Sequence, residues 1–314
     1  MDFSVFIAGK DDNERRLDRV IRKFISDDSL SGIYKAIRKG LVKVNDRKAD
    51  VSSRIFEGDS IKIASFLLGS EKIVTEKSGF SIPYDVVLKT EDLLIINKPY
   101  DVNVHGSENS IDKTIAEWYR NSPRSGDSLS FTPGPLHRLD RKTTGLLCFS
   151  LSLKGARWFS ENIKAHNIKK TYMGIVEGHL SDSEGWIDEI SREYDEKKTF
   201  QTVNVNSGKI DSKKSVTHVK PVSYGKIEDK ECTLVQFDIE TGRTHQIRSQ
   251  SSFHGYPLIG DTAYNGSKIS GPCDFFLHAY SLSFPENKLS HLPETLECPL
   301  PESFKNAVKN FAGI

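Results

Sequence analysis

The stretch from Pro133 to Leu151 constrains this chain more than any other. Pro133-Gly134-Pro135 breaks regular structure, because proline has no backbone N–H to donate and glycine no side chain to pack. Leu136 to Thr144 then gathers groups that ionise or hydrogen-bond, and Gly145-Leu146-Leu147-Cys148-Phe149-Ser150-Leu151 continues as a buried strand. A charged loop is thereby fixed to the end of a core element. Asp140, flanked in sequence by Arg138 and Arg141, is expected to be ionised there, because nearby positive charge favours the carboxylate. It would then act as an acceptor or nucleophile; the alternative is a structural ion pair.

Three further segments carry chemistry. Val86–Thr90 and Leu93–Asn97 read as a hairpin, and the second strand runs into a loop from Lys98 to Gly106, where Pro99 forbids further pairing. Lys169–Gly178 reads as a strand that follows an amphipathic helix with Ala156, Phe159 and Ile163 inward. On that strand Tyr172 shares a face with Gly174, which predicts an open platform for a stacked base; the bland reading is a core aromatic. Leu234–Ile239 reads as a strand ending in the turn Thr241-Gly242-Arg243. Thr244 is then expected to cap a helix through Arg248 that stops before Gly255. Arg243 and Arg248 near one strand end require an anion, either phosphate or carboxylate.

The net charge of +1 hides an uneven distribution. Arg15 to Lys48 holds eleven basic and four acidic residues, a net of +7, so the remainder carries −6. Within it, Leu17, Val20, Ile21, Phe24 and Ile25 have helical spacing, and a second helix is expected over Ser31–Lys39, ended by Gly40 and followed by the strand Leu41–Asn45. Ile61 and Ile63 alternate after a turn at Glu57-Gly58-Asp59. Two basic helices and a small sheet, in "SGIYKAIRKGLVKVNDRKADVSSRIFEGDSIKI", resemble the RNA-binding domain of a small-subunit ribosomal protein. The resemblance implies that Arg22, Lys35, Arg38, Lys39 and Lys43 lie along a phosphate backbone. Residues 67–84 lose periodicity and read as a linker between an RNA-binding domain at 1–66 and a larger domain at 85–314.

The start lacks a secretory signal, and nowhere do about 18 apolar residues follow one another, so a cytoplasmic protein without membrane contact is expected. Cys148, Cys232, Cys273 and Cys298 form no C-x-x-C pair and are expected to be reduced, with no metal bound. No glycine-rich phosphate loop or dinucleotide fingerprint is present, which predicts no cofactor.

Taken together, "INKP", "HRLDRKTTG", "KKTY", "TGRTHQIR", "LIGD" and "FLHA" resemble, in order, the RluA-type pseudouridine synthases, with "NVHGS" most like the RluC type acting on large-subunit ribosomal RNA. The resemblance implies an α+β fold: a bent, largely antiparallel mixed sheet with flanking helices, preceded by the small basic α+β domain. It also implies a monomer acting on structured RNA, with Asp140 as nucleophile, Arg248 as its salt-bridge partner and Tyr172 stacked on a flipped uridine and assisting proton removal at carbon 5. Arg138 would fill the gap the base leaves, with His137 and Arg243 also on the RNA. Transfer RNA as substrate, or a noncatalytic ribosome-assembly factor, are the competing readings. Two departures stand out: Tyr100-Asp101 where relatives have a small residue and glycine, and Ser249-Gln250 in place of Val-His.

Overall fold

The computed structural model describes residues 1–313 apart from 23, 26–28, 69–80, 123–127, 194–201, 207, 209–210, 287–288 and 290. They form two compact units. The first comprises 1–83, 112–134 and 150–156, and the second 84–111, 135–149 and 157–314.

In the first unit the elements run β1 (Phe3–Ile7), β2 (Arg15–Arg16), α1 (Leu17–Ile21), α2 (Leu30–Arg38), β3 (Val42–Val44), β4 (Arg47–Lys48), β5 (Arg54–Ile55) and β6 (Ser60–Ala64). The sheet order is β1-β6-β3-β4, and β2 pairs with β5. Leu17, Val20 and Ile21 of α1 and Ile33 and Ile37 of α2 are fully buried, as the helical spacing requires. Ser29 caps α2, its Oγ accepting from the Gly32 amide at 3.1 Å. The first helix closes at Ile21, although Ile25 beyond it is still buried. Residues 3–7 gave no strand signal because β1 is an edge strand on which Val5 and Ile7 stay exposed.

This unit extends beyond residues 1–66. Buried Asp12 accepts from Ser128 Oγ (2.9 Å), the Leu129 amide (2.7 Å) and Ser130 Oγ (2.6 Å), while Arg15 also donates to Ser130 Oγ. A carboxylate saturated by donors in this way fixes a segment 116 residues downstream. Of the expected linker at 67–84, residues 69–80 lie outside the described residues.

The remaining elements are β7 (Asp85–Lys89), β8 (Leu93–Lys98), α3 (Ile111–Arg120), β9 (Thr144–Ser150), α4 (Leu153–Lys164), β10 (Lys169–Glu177), β11 (Glu184–Glu193), β12 (Thr202–Val205), β13 (Lys213–Ile227), β14 (Lys230–Ile239), α5 (Gln246–Phe253), β15 (Leu277–Ser283), β16 (Thr295–Glu297), α6 (Glu302–Val308) and β17 (Ala312–Gly313). One sheet runs β12-β11-β13-β14-β10-β15-β9-β8-β7, with β16 on β15 and β17 on β13. The architecture is α+β, as expected.

Strand β15 links the two places that matter. It pairs antiparallel with β10, placing Ala279 opposite Tyr172, and parallel with β9, placing Ala279 opposite Gly145. A register shift between Thr171 and Tyr172 bends this pairing beside the tyrosine. Gly145 (φ +105) cannot carry a side chain, since a Cβ there would lie 2.3 Å from the Ala279 carbonyl oxygen. On β15, His278 is fully buried. Its Nδ1 is 2.7 Å from Thr144 Oγ1 and its Nε2 3.1 Å from the Cys298 carbonyl, so Nε2 carries the proton and Nδ1 accepts.

The departure at Ser249-Gln250 is explained by packing. Gln250 is fully buried, its Oε1 accepting from Thr217 Oγ1 (2.7 Å) and its Nε2 donating to Asp188 (2.7 Å). His254, stacked on Trp186, shares that aspartate at 2.9 Å. Helix α5 is thus tied to β11 and β13 by polar groups whose partners are all internal.

Burial pushes the His278 imidazole down to about 4, whereas an unfolded histidine titrates near its ordinary value of about 6.5. The unfolded chain therefore binds the proton first. Stability is fully present above pH 6.5 and is lost as the pH falls towards 4, by roughly 2 kcal/mol between pH 7.5 and 5. Urea midpoints over this range test it, and the slope is expected to flatten in His278→Gln.

Candidate active site

Asp140 sits in a tight turn, its carbonyl oxygen accepting from the Thr143 amide at 3.1 Å. Arg248 Nη1 is 3.5 Å from Asp140 Oδ2, and His245 Nε2 is 3.8 Å from the same oxygen. The expected pair is therefore present, but it is not Arg248's tightest. Arg248 Nε and Nη2 donate to Asp261 Oδ2 and Oδ1 at 2.6 and 2.8 Å, a two-point fork to a carboxylate only 2% exposed. Its guanidinium also lies 4.8 Å from the Tyr264 ring centre and 4.7 Å from that of Phe275. Burial works to lower the arginine's pKa, but the Asp261 fork, with Asp140 behind it, raises it on balance.

The local chain geometry explains these positions. Helix α5 is preceded by His245 in the cap position, held in the left-handed region (φ +52), so Thr244 is not the cap. Gln246 closes the turn instead, its Oε1 accepting from Thr241 Oγ1 (2.8 Å) and the Arg243 amide (3.0 Å). His245 Nδ1 is 2.7 Å from Tyr264 OH; burial lowers the imidazole's pKa against the opposing pull of Asp140. Asp261 is delivered by the segment Pro257–Asp261, which runs beside β10: the Glu177 amide donates to Pro257 O and the Ile259 amide to Ile175 O.

Arg141 does not flank the Asp140 carboxylate as its sequence position suggested, because its side chain turns to Asp101 at 2.9 Å. Arg138 is exposed on the cavity wall. Lys98 of "INKP" is fully buried and donates to the carbonyls of Pro99 (2.9 Å), Arg141 (2.7 Å) and Thr143 (2.9 Å). Burial pulls its pKa down to about 8, with Asp140 opposing, yet three acceptors around one nitrogen suit the ammonium form.

A cavity of about 380 Å³ opens on this carboxylate, lined among others by Arg138, Asp140, Lys170, Tyr172, Arg243 and His245. Burial, and then the Asp140 charge, push the Tyr172 phenol well above its ordinary range, so the ring is neutral. The open platform expected beside it is absent: the space above Gly174 is taken by Phe237, Leu258 and Leu277, so the glycine admits close packing. Of the residues expected on RNA, His137 lines the cavity but its Nε2 accepts the Cys148 amide at 3.1 Å and its ring stacks on Phe159, while burial lowers its pKa to about 3. Arg243 Nε donates to the Lys214 carbonyl at 3.2 Å. Arg22, Lys35, Arg38, Lys39 and Lys43 belong to the first unit; Lys35 and Arg38 on α2 and Lys39 at its C-terminal cap are exposed, and Lys43 lies over the Phe3 ring.

The profile of the RNA pseudouridylate synthase family matches residues 92–253, about half of the chain, and spans Asp140, Tyr172 and Arg248. The chain belongs to this family. The enzyme is therefore a pseudouridine synthase, an isomerase of uridine in RNA. It is 27% identical over 306 residues to an RNA pseudouridine synthase of Bacillus subtilis described as uncharacterised, covering 96% of both chains. It is 28% identical to the ribosomal large subunit pseudouridine synthase D of Vibrio cholerae over 80% of this chain and 74% of that one, and to that of Escherichia coli over 80% and 73%. The Vibrio cholerae and Escherichia coli relatives are named as the D type. The human RNA pseudouridylate synthase domain containing 1 protein shares the fold, with a TM-score of 0.57 and 24% identity over 76% of this chain and 91% of that chain. Among the described residues no helix is long and apolar enough to cross a membrane.

Asp261 in "LIGD", Lys98 in "INKP" and Lys170 in "KKTY" carry no local pattern that marks them, because their surroundings are set by tertiary contact. Asp261→Asn is expected to destabilise the enzyme by about 3 kcal/mol in chemical denaturation, because it leaves a buried guanidinium with one distant carboxylate.

Proposed function

We propose that Asp140 is the reacting carboxylate of this synthase and that the target uridine is flipped out of its RNA stack into the cavity lined by Asp140 and Tyr172. The observation that carries the reading is the division of labour at Arg248. Asp261 neutralises the buried guanidinium through a fork, and Asp140 meets only the remaining Nη1 edge, at 3.5 Å. An aspartate so placed is oriented without having its oxygens consumed, and its carboxylate remains 19% exposed towards the cavity.

The isomerisation breaks the bond from ribose carbon 1′ to uracil nitrogen 1 and makes one from carbon 1′ to carbon 5. The proton leaves carbon 5, one is gained at nitrogen 1, and no co-reactant is consumed. Attack of the carboxylate on carbon 1′ and removal of the 2′ proton both start from ionised Asp140. The cavity confines the freed base while it turns. Tyr172, which lines the same cavity, serves as a stacking surface and assists removal of the carbon 5 proton. Arg138, exposed on the cavity wall, would occupy the gap in the stack, and exposed Arg243 adds positive charge for the RNA backbone. Flipping costs a few kcal/mol, which phosphate contacts along Lys35, Arg38 and Lys39 of the first unit help offset.

Large-subunit ribosomal RNA is the substrate we assign. It is supported by the named relatives from Vibrio cholerae and Escherichia coli and by the basic first unit. Nucleotide-resolution mapping of pseudouridines in cells with and without the gene tests this; a loss confined to transfer RNA would overturn it.

Asp140→Asn is expected to abolish isomerisation while RNA affinity stays within about twofold, measured by single-turnover assay and filter binding. Replacing Lys35, Arg38 and Lys39 together should weaken RNA binding and reduce its salt slope by roughly three, leaving the rate on saturating RNA unchanged.

A further inference from the structure

Asp140 is followed by two cations, Arg141 and Lys142, and both are held by carboxylates that the reaction as described does not use. Asp101 stands in the left-handed region (φ +64), a conformation costly for most residues with a side chain. Its Oδ2 accepts from Arg141 Nη2 at 2.9 Å and its carbonyl oxygen from Arg141 Nε at 3.4 Å, while Oδ1 lies 2.9 Å from that Nε as the closest charged contact, so the two residues form an ion pair. Neighbouring Tyr100 reaches Asp274: its hydroxyl donates to Oδ2 at 3.1 Å and accepts from the Asp274 amide at 2.8 Å. The same Asp274 oxygen is paired with Lys142 Nζ. Two adjacent residues of the 98–106 loop are thereby tied, directly or through Asp274, to the two residues after Asp140.

Asp274 also touches the other half of the site. The next residue, Phe275, is one of the rings against the Arg248 guanidinium. The Asp274 carbonyl oxygen lies 1.7 Å from where a Cβ on Gly260 (φ +90) would be, so the turn that carries Asp261 rests directly on it. The loop of Asp140 and the support of Arg248 thus meet at one residue.

We infer that Tyr100, Asp101 and Asp274 form a clamp that sets the position of Asp140 relative to Arg248, and that they are positioning residues for the isomerisation. Each pair is exposed: the side chains of Asp101 and Arg141 are 46% and 57% accessible. Such pairs add little to stability, so the effect belongs to geometry and therefore to the rate on bound substrate. Arg141 and Lys142 are the cations that RNA phosphates would otherwise claim, and the ion pair and backbone hydrogen bond to Asp101 assign Arg141 to the clamp.

The test uses Asp101→Gly, because glycine suits φ +64 and removes only the carboxylate that pairs with Arg141. On RNA substrate, kcat is expected to fall about five- to tenfold, with KM and the thermal midpoint as in the parent enzyme. Arg141→Met should reproduce that loss, and the double variant should be no slower than either single one. Parent-level kcat in Asp101→Gly would overturn the inference. So would a raised KM with unchanged kcat in Arg141→Met, which would give Arg141 to the RNA. The inference rests on Asp140 as the reacting carboxylate, and Asp140→Asn in the same assay separates the two. Activity in that variant removes the reading of Asp140, whereas an inactive Asp140→Asn beside an unimpaired Asp101→Gly removes only the clamp.

Discussion

A buried arginine that is already neutralised is the constraint on which the site depends. Arg248 is 11% exposed, and a guanidinium taken so far out of water is tolerable only with a well-placed anion. Asp261 supplies it at 2.6 and 2.8 Å. Were Asp140 the sole partner, the arginine would claim both of its oxygens and leave little for substrate. With the charge met elsewhere, Asp140 keeps a looser 3.5 Å contact. The arrangement demands much of the chain: a left-handed start to α5, the Pro257–Asp261 segment beside β10, and two aromatic rings around the guanidinium.

The sheet brings these pieces together. Tyr172 on β10 and Gly145 after the Asp140 loop lie more than 25 residues apart in sequence yet face the same Ala279 of β15. Gly145 permits the close approach of β9, and buried His278 bridges Thr144 to Cys298 at the same level. The motifs "HRLDRKTTG" and "FLHA" are therefore two sides of one strand contact.

Much of this was legible in the sequence, and for physical reasons. The helical spacing from Leu17, the hairpin before Lys98 and the unbroken apolar run after Gly145 each reflect burial that leaves a local pattern. Asp140, Tyr172 and Arg248 line one cavity, as the motifs implied. What escaped were partners set by tertiary contact. Arg141 is adjacent to Asp140 yet bonds Asp101, 40 residues away, and Asp12 bonds Ser128 and Ser130 across more than a hundred. The Tyr100-Asp101 departure carried a signal of its own. Asp101 adopts a positive φ there, and its carboxylate pairs with Arg141.

The most direct test of the account is a crystal structure of the enzyme bound to RNA that carries its target uridine. The account predicts the flipped base stacked on Tyr172, with ribose carbon 1′ or the 2′ hydrogen within about 3.5 Å of an Asp140 oxygen and Arg248 still forked to Asp261. A target ribose held away from Asp140, or Arg248 transferred from Asp261 to the RNA, would contradict it.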